Sequence, residues 1–344
     1  MRALVYRGPG DLRVEERPAL EPGPGEALLR VGACGICGTD LRIESGHHRA
    51  YPEGTVRVPG HEIAGILDEV GPGVDLPAGA TAFIAPNVGC GRCRACRAGR
   101  VNLCRTPDAL GITRDGGFAE TVLLTSDVVA QGNVLVTGGE PDMAALALVE
   151  PLACALRGSK ACSIGEGDLV VISGAGPVGL MHLLVARLRS PSAVVVSEPS
   201  AARRMEASRF GADAAVDPRD LADTVAELSE GIGADVVITA APAPAAQRQA
   251  LELSAPGGRV NFFGGLPRDA SRVELDTNLI HYRELVVTGT TANTNEDCRE
   301  ALELVTTGRV DTGALVGARR PLGQAEEAFE AARSGDVLKV VIEP

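Results

Sequence analysis

Tryptophan is absent from this 344-residue sequence, and aromatic residues make up only 3% of it. That argues against a stacking platform for bases or sugars. Positive charge is also short: 33 Lys and Arg stand against 45 Asp and Glu, for a net charge of -12. Nucleic acid is therefore a poor partner, because a phosphate backbone needs a basic face. Lysine itself is nearly missing, present only at Lys160 and Lys339, which reads as a coding bias toward arginine. No apolar run reaches membrane-spanning length, and the start "MRALVYRGPGDLRVEERP" spaces charges through its length. Neither a signal peptide nor a membrane span is expected, and a cytoplasmic location follows. What these absences leave is a partner that is a small molecule.

The chain is long for one compact core and suits two domains. Up to about residue 150 it is dense in Gly and Pro, with short alternating runs such as "EALLRVGAC" and "EIAGILDEV" that predict an irregular antiparallel β domain. From 168 to 290 the texture changes to apolar β-branched runs ("DLVVIS", "SAVVVSE", "AAVD", "DVVITA", "GRVNFFGG", "ELVVTGT") separated by helix-like segments. Strands apolar throughout and alternating with helices predict a parallel sheet covered on both faces, in an α/β doubly wound nucleotide-binding fold.

Nine cysteines are present, and four crowd into "CGRCRACRAGRVNLC" as Cys90, Cys93, Cys96 and Cys104. Two-residue gaps gather thiolates around one ion, and a fourth from a returning loop closes a tetrahedron, as in a structural zinc site. A disulfide pair, an iron-sulfur cluster and a redox CxxC remain as alternatives. In "GAGPVG", Gly174, Gly176 and Gly179, with Pro177 and Val178 between them, follow a predicted strand and open a predicted helix. Glycines there let the backbone approach a pyrophosphate at a helix N-terminus. Glu198 lies 22 residues after Gly176, where a carboxylate accepts the ribose hydroxyls of NAD. Arg203 and Arg204 nearby leave NADP open as the less favoured cofactor.

Three dispersed stretches complete the set: "CGICGTDLR" with Cys37, Thr39 and Asp40, "PGHE" with His61 and Glu62, and "ALVEPLACAL" with Glu150. Singly these read as a buried thiol, a core histidine and a helix-start acid. The adjacent pair His61 and Glu62 raises a geometric question. Neighbours on a regular strand point to opposite faces, so both reach one ion only where the backbone is irregular.

In conjunction, "GxCGICGTD", "PGHE", the four-cysteine lobe, "GGFAE", "VEPLACAL", "GAGPVGL" and "GRVNFFG" resemble the zinc-dependent medium-chain alcohol dehydrogenases, in the polyol branch of sorbitol and threonine dehydrogenases. The resemblance implies a GroES-like β-rich catalytic domain from residues 1–151 and 292–344, with a zinc lobe at about 88–106. A Rossmann NAD-binding domain would fill 152–291, with Gly264 of "GRVNFFGG" also at the cofactor, and the assembly would be a homodimer or homotetramer. It implies one catalytic and one structural zinc per chain, with Cys37 and His61 as catalytic ligands and Glu62 or Glu150 as the third. One Cys and one Glu already neutralise Zn²⁺, and a second Glu leaves the site net negative, which sets the two glutamates as alternatives. Thr39 would bond the substrate oxygen and start the proton relay, while Asp40 orients His61.

One departure stands out. Arg42 occupies the position where the family often carries a relay histidine, and an arginine cannot relay a proton by losing one. His47 or His48 are substitutes, and an anionic substrate group facing Arg42 is an alternative. A polar Glu150 favours a secondary hydroxyl of a polyol, sugar, cyclitol or aminocyclitol, with an amino alcohol of the threonine type as the alternative. Phe118, Asn293 and Thr291 are candidate substrate contacts. Two rivals remain: a zinc-free reductase, disfavoured by the cysteine and histidine motifs, and a non-catalytic NAD-binding redox sensor.

Overall fold

The structure, a computed structural model, describes residues 1–344. The chain forms two compact units, Met1–Ala153 with Ala292–Pro344, and Cys154–Thr291. No helix is long and apolar enough to cross a membrane.

In the first unit the alternating runs build a sheet in the order Val316–Pro321, Lys339–Glu343, Ala27–Ile36, Glu62–Val70, Thr81–Ile84, Val134–Val136. Thr121–Leu124 also pairs with Ala27–Ile36. A strand from the end of the chain thus lies beside one from its beginning, with Val341 opposite Gly35. On its other side Gly35 faces Glu62. Leu29, Ile63, Leu67 and Ile84 are buried here with Phe329 of the helix Ala325–Ser334. Phe118, expected to face substrate, belongs to this core. It is fully buried, its ring edge-to-face with Phe329 at 5.7 Å.

In the second unit all six apolar runs become strands of one parallel sheet, ordered Ala214–Val216, Ala193–Ser197, Leu169–Ser173, Ala234–Thr239, Ser254–Phe262, Val286–Gly289. Val171, Val195, Val237 and Val260 are buried along its centre. Chain progression reverses between Leu169–Ser173 and Ala234–Thr239, and a doubly wound sheet binds ligands at the strand ends beside such a switch. Gly174 follows the first of these two strands directly, at φ +108°, a left-handed conformation that favours glycine.

Helix Pro177–Arg187 buries His182 completely, with no hydrogen-bond partner on either ring nitrogen and Phe263 edge-on at 4.5 Å. Burial pushes its pKa down to about 3. The unfolded chain takes up this proton near pH 6.5 and the folded chain does not, so His182 contributes no penalty above that pH and a growing one below it. The penalty reaches about 2 kcal/mol at pH 5. His182→Leu should therefore flatten the fall in stability between pH 7 and pH 5, as read by urea unfolding at each pH. An unchanged pH slope would show that the imidazole is protonated or solvated in the folded unit.

Candidate active site

Cys37 ends the Ala27–Ile36 strand and caps the helix Gly38–Glu44. Its Sγ accepts from the Thr39 N–H at 3.2 Å, and Asp40 Oδ2 accepts from the Cys37 N–H at 2.9 Å. This reciprocal cap fixes the thiol at the helix start. His61 Nε2 lies 3.2 Å from that sulfur, and Asp40 Oδ1 stands 3.6 Å from His61 Nδ1, behind the ring. The order sulfur, imidazole, carboxylate is the usual arrangement of a metal-binding histidine.

The backbone supplies the irregularity that the His61–Glu62 pair requires. His61 precedes the Glu62–Val70 strand, and Gly60 before it sits at φ +94°. A Cβ at Gly60 would press on Cys34 Sγ and the Phe118 ring. His61, Glu62 and Glu150 accordingly bring ligand atoms within 4.8 Å of one another, as do Cys37, Asp40 and His61.

Glu62 carries the contact that the sequence reading missed. Lys339 Nζ donates to Glu62 Oε1 at 2.6 Å, with Lys339 4% and Glu62 0% exposed. The two meet across Gly35, where any side chain would overlap the Glu62 carboxylate. Burial opposes the Lys339 ammonium, but the nearby Glu62 carboxylate and Cys37 sulfur hold its pKa above the ordinary lysine value. The charge balance that made the two glutamates alternatives therefore needs correcting, because a third positive charge offsets the second carboxylate. A signal was available: Lys339 is one of two lysines in an arginine-rich chain, set in the apolar run "VLKVVIEP".

Glu150 opens the helix Val149–Ala161. Burial raises its pKa, the Glu62 charge adds to the rise, and His61 opposes it. Asn293, a candidate substrate contact, is fully buried; its Nδ2 donates to Glu150 Oε1 at 2.6 Å, and its Oδ1 accepts from Asn87 at 2.9 Å. Asn293 thus orients Glu150 and is occupied by protein partners. Thr291 is exposed in the second unit. His47 Nδ1 pairs with Ser45 Oγ at 3.0 Å and His48 Nδ1 accepts from the Ala50 N–H at 3.3 Å, so neither ring bonds Thr39. Arg42 does, its Nη2 donating to Thr39 Oγ1 at 3.1 Å.

The donors fit a metal ion. Glu62 Oε2 is buried without a hydrogen-bond partner, which calls for a ligand. Burial works to lower the His61 pKa, yet the Cys37 sulfur and Asp40 carboxylate raise it well above the histidine range, so the cluster attracts positive charge.

The strands Asn87–Val88 and Asp108–Ala109 pair at the base of the cysteine lobe. Cys93 and Cys96 sulfurs lie 3.5 Å apart, and the Cys90–Cys96 and Cys93–Cys104 pairs 4.0 Å. A tetrahedron with metal–sulfur bonds of about 2.3 Å has edges of about 3.8 Å. None of the four is in a disulfide. Backbone donors from Cys96 and Arg105 bring the Cys93 thiol down to about 6, whereas burial takes Cys96 up to about 12.

In the second unit Gly176 caps the helix that begins at Pro177 and Val178. A Cβ on Gly179 would overlap the Gly174 carbonyl, and one on Gly264 would meet the Ala241 oxygen at 2.8 Å, so both close approaches need glycine. Glu198, at the end of the Ala193–Ser197 strand, accepts from the Ala175 N–H at 2.9 Å and from the Ser200 N–H at 3.0 Å. The Arg203 guanidinium lies 4.0 Å from where a Gly176 Cβ would stand.

A GroES-like domain carrying a metal-ligand cluster and a doubly wound unit carrying a dinucleotide loop together define a zinc-binding dehydrogenase. Residues 23–133 match the alcohol dehydrogenase GroES-like domain, and residues 177–307 match the zinc-binding dehydrogenase family. The chain is 35% identical to an L-threonine 3-dehydrogenase of Pyrococcus abyssi, over 93% of this chain and 92% of that protein. It is 31% identical to a sorbitol dehydrogenase of Halalkalibacterium halodurans, over 100% and 99% of the two chains. A zinc-binding dehydrogenase of Sinorhizobium meliloti, bound to NADP, superposes with TM-score 0.91 at 36% identity, covering 100% of this chain and 99% of that one. The chain belongs to the zinc-dependent medium-chain alcohol dehydrogenases, in the threonine and sorbitol dehydrogenase branch, and is a zinc-dependent NAD(P) oxidoreductase.

Removing one partner of a buried ion pair strands the other, at a cost of about 3–5 kcal/mol. Lys339→Met should lower urea stability by that order, and adding Glu62→Gln should recover much of the loss. Strictly additive losses in the double variant would show that the pair is not coupled.

Proposed function

We propose that this dehydrogenase oxidises a secondary hydroxyl on a polar substrate with NAD as acceptor, and that Cys37, His61 and Glu62 hold the catalytic zinc at rest. The reading is carried by one observation: Cys37 and Glu62 converge on His61, while the buried Glu62 Oε2 lacks a hydrogen-bond partner. With Lys339 on its other oxygen, Glu62 keeps Oε2 free to ligate. Glu150, oriented by Asn293, brings a carboxylate oxygen within 4.8 Å of the His61 and Glu62 ligand atoms and would be available to the metal. Cys90, Cys93, Cys96 and Cys104 hold the structural zinc that fixes the lobe.

Bound zinc supplies Lewis-acid polarisation of the hydroxyl oxygen, and bound NAD supplies the hydride acceptor. Thr39 Oγ1 receives the proton leaving the substrate hydroxyl. Arg42 orients Thr39 but keeps its own protons, so the onward path runs from Thr39 to water or cofactor ribose and not through a side-chain base on this helix. Asp40 holds the His61 ring. Glu198 favours NAD by accepting ribose hydroxyls at the end of its strand. Relatives named for threonine and for sorbitol support a hydroxylated substrate, an amino alcohol or a polyol.

The test combines metal analysis with turnover. About two zinc ions per chain are expected, with NADH formed from at least one member of a panel of polyols, cyclitols and amino alcohols. Glu62→Gln should lose the catalytic zinc, whereas Glu150→Gln should keep it and lose turnover. Equal zinc retention in both variants would remove Glu62 as the resting ligand.

We further propose a homo-oligomer, resting on Val286–Gly289, which ends the parallel sheet with Val286 51% exposed and Tyr282 beside it 79% exposed. An unpaired apolar edge strand is a template for a second copy. Light scattering on the purified protein should give a dimer or tetramer, and Val286→Lys should shift it toward monomer. A monomer at micromolar concentration without the substitution would rule this out.

A further inference from the structure

We propose that Arg42 is a specificity-determining residue that binds an anionic group, a carboxylate or phosphate, carried by the hydroxyl substrate. The proposal rests on the placing of Thr39 at the reacting oxygen given above.

Arg42 lies one turn after Thr39 on the helix Gly38–Glu44, and its guanidinium is exposed except for the 3.1 Å bond from Nη2 to Thr39 Oγ1. That bond is its one polar side-chain contact and uses one of five N–H donors. The acids nearest in sequence are committed elsewhere. Glu44 pairs with Arg333 at 2.6 Å, and Asp40 is fully buried between the Cys37 N–H and His61. In a chain of net charge -12, Arg42 thus presents a guanidinium without a carboxylate partner beside the site's hydroxyl.

Arg49 adds to the positive field there, its charge acting together with that of Arg42 on His48. The His48 pKa is lowered by burial first and then by the charges of Arg42 and Arg49. A neutral polyol leaves those donors to water, but a carboxylate or phosphate takes two in parallel, in the geometry a guanidinium fits best. The spacing limits the substrate further. The reacting oxygen and Arg42 Nη2 would be separated by two hydrogen bonds meeting at Thr39 Oγ1, and a third bond carries the guanidinium to the anion, so the charge lies within about 9 Å of the reacting oxygen at full extension. Hydroxy acids, hydroxy amino acids and small phosphorylated polyols meet that condition.

Zinc-loaded enzyme should be assayed on matched pairs that differ only in the anion: 3-hydroxybutyrate against its methyl ester, glycerol 3-phosphate against glycerol, L-threonine against its amide. The expected preference in kcat/KM for the anionic member of at least one pair is about tenfold or more, the range of one charge-assisted bond. In Arg42→Gln that ratio should collapse toward one, mainly through KM, and Arg42→Lys should restore part of it. An equal loss on both members would assign Arg42 to holding Thr39 alone, and a change confined to the KM for NAD would place the anion on the cofactor. Either result overturns the proposal, as does a wild-type preference for the neutral members. Inorganic phosphate titrated by calorimetry into zinc-loaded wild type and Arg42→Gln gives a readout independent of turnover. Binding lost in the variant supports the anion site even if no hydroxyl substrate is oxidised, a result that would sink the proposed reaction instead. Equal binding, or none to either protein, refutes the anion site.

Discussion

A lysine ammonium and a glutamate carboxylate 2.6 Å apart, both almost wholly buried, form the contact on which the catalytic unit depends. Withdrawing two ions from water costs several kcal/mol each, and their attraction offsets this only when geometry and neighbours are right. The structure meets that condition through the backbone. Gly35 leaves room for the Glu62 carboxylate, and the sheet order sets Lys339 on the same face two strands from Glu62, across the Gly35 strand. The pair also spans 277 positions of sequence, so the last strand is held to the first sheet by charge as well as by backbone bonds. The metal cluster and the joining of the chain ends are therefore one problem with one solution.

That explains what could be read from the sequence. Motifs whose chemistry is local were legible: four cysteines within fifteen residues, a glycine loop between strand and helix, a thiol three residues before an acid. Each is assembled by a short stretch of backbone, and the structure keeps each together. The six apolar runs became six parallel strands for the same reason, since their burial on both faces is written in every residue. Contacts set by strand order were not legible. The scarcity of lysine reads as a coding bias and gives Lys339 no role, although a lysine amid valines has to find a counter-charge.

Phe118 and Asn293 show a different limit, because family position says that a residue is near the site and not which way it faces. Phe118 turns into the core against Phe329, and Asn293 spends its amide on Glu150 and Asn87. Asn293 nevertheless stays close to the chemistry, since it fixes one of the two carboxylates. The same pattern recurs at Thr39 with Arg42, at His61 with Asp40 and at Glu62 with Lys339. Each motif side chain is held by a partner, and where that partner comes from a distant stretch the motif alone cannot name it.

The charges around the site also bear on what can approach it. With zinc in place, its two positive charges and Lys339 balance Cys37, Glu62 and Glu150, leaving the buried cluster neutral. Asp40 remains as a negative charge, fully buried behind His61, while Arg42 and Arg49 are exposed. Negative charge is thus inside and positive charge outside, and although water screens the exposed arginines more than the buried acid, they are the charges in contact with solvent. A net charge of -12 describes the molecule at a distance and says nothing about this short-range field. Local potentials of this kind steer substrates by sign, so the arginine that cannot carry a proton still acts on what binds.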